Sequence, residues 1–148
     1  MKATLLLKEE HDILRLMLDR MRRPARGHDK TAQVWEFRSE MEMHWRIEEE
    51  LLYPELENKP SRQAATLVST ALRHSGEIEK LLKEMTRHFP AKKFDSQIAH
   101  LAESVGEYLR FEEDQIFEEA RQCLSEFRME QLGLEMEDRR RFLTASAA

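Results

Sequence analysis

The chain has 148 residues, a formal net charge of -5 and a pI near 5.7, which argues against a nucleic-acid binder with its basic face. A single cysteine, Cys123, excludes an intrachain disulfide and suits a reducing compartment. With 41% hydrophobic and 36% charged residues but only 4 Gly and 4 Pro, the composition points to one all-α domain over residues 1–148.

Taken in order, the chain divides into four long amphipathic stretches and a fifth. Leu5-Leu6-Leu7 is followed at once by Lys8, Glu9 and Glu10, too soon for a signal-peptide core. The first helix is expected over residues 4–22, with Leu7, His11, Leu14, Leu18 and Met21 as its seam. Pro24, Gly27 and Asp29 break it, and Asp29 or Thr31 is placed to cap the second helix. That helix carries Phe37, Met41, His44, Glu48 and Leu51 on one face and is expected to end near Pro54, after Tyr53. Residues 55–60 read as a turn and Ser61 as the cap of the third helix, with seam Leu67, Ala71, His74, Ile78 and Leu81. Phe89-Pro90-Ala91 ends it. Asp95 or Ser96 starts the fourth, along which Leu101, Val105, Tyr108, Glu112 and Ile116 align. A last amphipathic stretch, residues 125–142, carries Phe127, Leu132, Met136 and Phe142 and suggests a short extra helix across one end, before a frayed tail at residues 144–148. No stretch approaches the roughly 18 apolar residues that span a bilayer. The expected architecture is an up-down-up-down four-helix bundle with a short extra C-terminal helix, in a cytoplasmic protein without membrane or nucleic-acid partners.

Each seam holds one or two polar residues at a middle turn. These are His11, then His44 and Glu48, then His74, then Tyr108 and Glu112. An internal repeat relates the two halves. The run from His44 to Tyr53 resembles the run from Tyr108 to Phe117, with Arg46, Glu48 and Glu49 recurring as Arg110, Glu112 and Glu113. Two such hairpins about a pseudo-twofold axis would bring the six residues together.

An unpaired carboxylate aimed into a core is strongly disfavoured, so these residues need partners. Imidazole and carboxylate suit non-haem iron or manganese, and no thiolate cluster exists for structural zinc or an iron-sulfur centre. A carboxylate one turn beyond a histidine can bridge two metals while the histidine binds one. Glu48, Glu112, an ionised Tyr108 and an oxo bridge would nearly balance two ferric ions. Without metal, at least one of the facing carboxylates should hold a proton.

The pattern resembles the hemerythrin-like family, in its branch called the HHE cation-binding domain. The resemblance rests on His11 within Glu-His-Asp-Ile-Leu, the His44-x-x-x-Glu48 pair followed by Leu52-Tyr53-Pro54, His74, and the stretch from Glu112 to Phe117. It implies a four-helix bundle holding an oxo- or hydroxo-bridged di-iron centre, with manganese or zinc as substitutes. It implies roles in binding or sensing oxygen, nitric oxide or peroxide, or in iron handling. The metal ligands it implies are His11, His44, Glu48, His74, Tyr108 and Glu112. Tyr108 stands where the family has a histidine. It would bind ferric iron as tyrosinate, or stay protonated and hydrogen-bonded to Glu112 or a metal-bound water. Ile78 stands where oxygen carriers have a further histidine. Ferritin-like bundles use Glu-x-x-His, a spacing absent here.

Rival readings are an iron-dependent enzyme that decomposes peroxide, a metal-responsive regulator acting through the C-terminal helix, and a metal-free structural bundle with satisfied core histidines. Other polar residues have plainer readings. His28 and His88 are solvated and His100 lies off the seam. Glu49, Glu50, Glu113 and Asp114 form a solvated acidic face. Arg139-Arg140-Arg141 complements a helix C-terminus. Trp35 and Trp45 pack, and Tyr53 lies near the pocket mouth.

Overall fold

The computed structural model describes residues 1–23, 27–59, 61–87 and 93–147. In chain order it contains α1 (Ala3–Arg22), α2 (Gly27–Ile47), a first π-turn (Glu48–Leu52), α3 (Tyr53–Glu57), α4 (Arg62–Arg87), α5 (Phe94–Phe111), a second π-turn (Glu112–Ile116), α6 (Phe117–Cys123) and α7 (Glu126–Ala147). There is no strand among the described residues. Each π-turn joins its flanking helices into one continuous rod. α1 packs on α2 and α4 on α5, and α1 against α5 and α2 against α4 close the ring, so the four-helix bundle is as expected. None of the described helices is long and apolar enough to cross a membrane.

The seams explain the assembly. On α1 the expected ladder of Leu7, His11, Leu14, Leu18 and Met21 is buried throughout. On α5 Leu101, Val105 and Tyr108 are buried as expected, and Ile98 extends the ladder. On α4 the buried ladder is Ala64, Val68, Ala71, Ser75, Ile78, Leu82 and Met85. It shares Ala71 and Ile78 with the expected seam, but replaces Leu67, His74 and Leu81 by the residues one position on. Both ladders step by four and three, so local periodicity permits either. One residue is about 100° of rotation around a helix, and packing makes the choice.

Local signals were read correctly in part. Ser61 does cap α4, accepting the Ala64 N–H at 3.2 Å. α5 instead begins at Phe94, and the Ser96 hydroxyl donates back to the Lys93 carbonyl at 2.8 Å rather than capping. α2 starts at Gly27, so Thr31 lies inside it. Pro54 does not end the second rod. The Tyr53 N–H bonds to the Glu48 carbonyl, an i to i+5 bond that widens the turn just before the proline. Pro54 then occupies the first turn of α3, where proline is tolerated.

α7 differs most from expectation. It has 22 residues, continues through the stretch expected to fray, and lies along α1 with contacts to α2 and the first π-turn. Met129, Leu132, Met136 and Leu143 are its buried face, whereas Phe127 and Phe142 are 69% and 61% exposed. Gly133 permits this docking, because a Cβ there would sit 1.8 Å from the Met1 carbonyl oxygen. The readings made for Pro24, Pro60, His88, Phe89-Pro90-Ala91, Ala148 and the side chains of His28 and Asp29 lie outside the described residues.

Candidate metal centre

Four fully buried side chains meet midway along the bundle. His11 comes from α1, His44 from the last turn of α2, and Glu48 and Glu112 open the two π-turns. One ligand atom from each lies within 4.8 Å of all the others. The two imidazole Nε2 atoms are 3.1 Å apart. His44 Nε2 is 3.0 Å from Glu48 Oε1 and 3.3 Å from Glu112 Oε1, and His11 Nε2 is also 3.3 Å from Glu112 Oε1.

Both rings are held from behind. His11 Nδ1–H donates to Glu113 Oε2 at 2.6 Å, and His44 Nδ1–H donates to Glu10 Oε1 at 2.8 Å. A carboxylate on Nδ1 fixes the tautomer that turns the Nε2 lone pair inward, the usual orientation of a metal-binding histidine. Arginines brace these carboxylates in turn. Arg15 Nη2 reaches Glu113 Oε2 at 2.7 Å, and Arg140 Nη1 reaches Glu10 Oε2 at 3.0 Å. Phe117 stacks on the His11 ring at 5.2 Å between centroids.

The first π-turn brings Tyr53 to the site, and Tyr108 reaches it from α5. The i to i+5 bond brings Tyr53 round toward the face of Glu48, and Phe117 toward that of Glu112. Tyr53 OH donates to Glu112 Oε2 at 2.9 Å, while Tyr108 OH donates to Glu48 Oε1 at 2.9 Å. Each glutamate thus receives a phenol from the opposite half of the repeat, and the two hydroxyls are 3.3 Å apart. Glu48 Oε2 is buried and has no hydrogen-bond partner among the described residues.

The electrostatics are those of a site holding protons in place of a cation. Burial, and then the charge of Glu112, push Glu48 well above the usual carboxylate range. Burial would raise Glu112 too, but hydrogen bonds from Glu48, His11 and His44 hold it well below that range. One proton therefore stays on the facing pair, as expected without metal. Burial alone would lower His44, but the charge of Glu48 and hydrogen bonds with Glu10, Glu112 and Glu48 raise it well above its ordinary value. Burial and the two carboxylates raise Tyr53 and Tyr108 well above the usual phenol range, so both remain donors. Two inward-facing imidazole Nε2 atoms, two carboxylate oxygens and a Glu48 Oε2 without a partner among the described residues fit a metal cation. Such a cation would displace these protons and supply the missing partner.

Of the residues read as ligands, His11, His44, Glu48 and Glu112 come together. Tyr108 joins them through its bond to Glu48, not to Glu112. His74 is placed apart. It is half-buried and stacks on Phe111, with 5.7 Å between centroids, because Ser75 occupies the α4 seam. Glu10 escaped notice in the sequence and Glu113 was assigned to the solvated face, yet they orient the histidines. Their signal was adjacency, one residue before His11 and one after Glu112. Arg140 is no end-of-helix charge, since the last turn of α7 carries no basic residue. Glu50 lies on the exposed acidic face as expected, and binds Arg139 there. Trp35 is half-exposed under Arg38 rather than packed, while His100 is exposed as expected.

Comparison with known proteins accords with this geometry. The family described as Hemerythrin HHE cation binding domain matches residues 3–120. No curated protein matches the chain. The crystal structure of a hemerythrin HHE cation binding domain-containing protein from Mycobacterium kansasii shares the fold, with a TM-score of 0.87 at 21% identity over 99% of this chain and 90% of that one.

Proposed function

The chain belongs to the hemerythrin HHE cation binding domain family, and from that premise we propose that it is a non-haem iron protein. Its buried centre would hold two irons and take a small diatomic or peroxidic ligand. The supporting observation is the convergence of the ligand atoms of His11, His44, Glu48 and Glu112 within 4.8 Å, with both imidazoles turned inward from behind. These four residues would hold the first cation. The glutamate oxygens facing away from the imidazoles support a second. Among the described residues Glu48 Oε2 has no partner and Glu112 Oε2 has Tyr53 alone, so both carboxylates have an atom to share. Tyr108 is already in contact with Glu48, through Oε1, whereas His74 would first have to leave Phe111.

Iron, when bound here, would supply one-electron exchange with the small ligand. The protein's own residues do the rest. Glu10 and Glu113 keep the imidazoles in register, and the apolar seams exclude bulk water. Tyr53 and Tyr108 hold protons beside the carboxylates, ready to donate to negative charge arriving at the centre.

The test is metal analysis of the full chain after anaerobic loading with ferrous iron. The proposal predicts about two irons per chain. A protein that retains no iron would refute it, and a single iron would remove its two-metal part. Stoichiometric uptake of oxygen or nitric oxide would indicate binding or sensing, and sustained oxygen release from peroxide would indicate an enzyme.

A further inference from the structure

α7 lies beyond residues 3–120, the segment the family match covers, and that match assigns it no role. Three of its arginines grip the second rod or its neighbours. Arg128 binds Glu55, Arg139 binds Glu50, and Arg140 binds both Glu40 and Glu10. Of these three, Arg140 alone among the described contacts reaches a carboxylate that itself holds an inward-facing histidine. Glu10 is 4% exposed, and both its oxygens are committed, Oε2 to Arg140 at 3.0 Å and Oε1 to His44 Nδ1–H at 2.8 Å. With one oxygen released, a carboxylate can rotate about its last bond, and the imidazole it holds loses its register. The other histidine does not depend on α7, because its Glu113 is braced by Arg15 of α1.

We infer that Arg140 is a positioning residue for the metal centre, holding His44 in its metal-binding orientation through Glu10. α7 is then a working part of the centre. Whatever loosens α7 weakens the cation, and the cation tightens α7 to the same degree, since coupling between two binding events is reciprocal. This rests on the metal-binding reading above.

The test titrates ferrous iron into the full chain, anaerobically, against a competing chromophoric chelator. Arg140→Met should weaken binding about tenfold, the low end of the range for partners behind a metal ligand. Arg140→Lys should recover most of that loss. Glu40→Gln removes the other anchor of Arg140 but leaves Glu10 alone, so it should bind like wild type. Unchanged affinity in Arg140→Met would overturn the inference. So would an equal loss in Glu40→Gln, since docking of α7 alone would then account for it. If Arg140→Met does not fold, Arg140→Gln takes its place. If the wild type takes no iron, the functional proposal fails on its own, and the inference is decided on the metal-free protein. There the His44 Nδ1–H resonance should be slow to exchange in wild type and Arg140→Lys and lost in Arg140→Met. Its persistence in Arg140→Met would refute the positioning role.

Discussion

The two helical hairpins are built on one repeat, yet they furnish the centre unequally. The first half delivers two imidazoles, a glutamate and a tyrosine, namely His11, His44, Glu48 and Tyr53. The second delivers Glu112 and Tyr108, while its histidine, His74, is turned onto Phe111. The backbones remain alike. Both rods carry a π-turn that opens at the glutamate, and in both the N–H five residues on bonds to the glutamate carbonyl. The halves differ in how their first helix is rotated. α1 presents His11 to the axis, whereas α4 presents Ser75 and moves its histidine aside. A repeat can therefore preserve backbone hydrogen bonding while the side-chain offering diverges. The ladder of the rod is local, and its rotation is settled by whatever packs against it.

The comparison is most sharply tested by removing each imidazole. His11→Ala and His44→Ala should each abolish stable iron retention, while His74→Ala should leave at least the first iron in place, as read by metal analysis of the purified chains. Equal loss in all three would mean that the metal-bound protein is more symmetric than the fold described here. The next effect separates the halves by their cover, since α7 lies against the first hairpin. Gly133→Ala should lower the stability of the metal-free protein by about 1–3 kcal/mol, because the new methyl collides with backbone at Met1. Hydrogen exchange should rise in α1 and α7 and not in α4 and α5. Uniform exchange would show that the halves do not respond separately.

A smaller effect concerns the crossed phenols. Tyr108→Phe and Tyr53→Phe each remove one hydrogen bond to a buried carboxyl, costing about 0.5–1.5 kcal/mol in denaturant unfolding of the metal-free chain. In the iron-loaded protein, a visible charge-transfer band that disappears in Tyr108→Phe and survives in Tyr53→Phe would make Tyr108 the ligand of the second half. The smallest effect is at the surface. Hydrogen bonds from Arg139 and Arg46 hold Glu50 down to about 2. A carboxyl depressed on folding stabilises above its unfolded value near 4.5, and that contribution is lost as the pH falls toward 2. Wild type should therefore lose thermal midpoint across that window slightly faster than Glu50→Gln. Parallel curves would show that the Arg139 clamp contributes nothing measurable, as exposed pairs often do.

Much of the site was legible before the fold. His11, His44, Glu48 and Glu112 each interrupt an apolar ladder, and a polar side chain in a core position needs a partner. The α4 seam is the exception, because two ladders there share Ala71 and Ile78 and differ by one residue at every other rung, with Ser75 inward where periodicity equally allows His74. Tyr53 reads as a residue of the mouth because a 3.6-residue period carries Leu51, not Tyr53, onto the face of Glu48. The π-turn reverses that, and Pro54 in mid-rod was its only local sign.

By itself the sequence determined the rods, their up-and-down order and the turn at which the buried polar residues of the candidate centre sit, because these follow from periodicity and short connections between neighbouring residues. Only the tertiary structure decided which face of α4 turns inward, and that Glu113 and Arg140 stand behind the histidines. Those contacts join residues 102 and 130 positions apart in the chain, and no local pattern encodes which of many surface acids and arginines will meet.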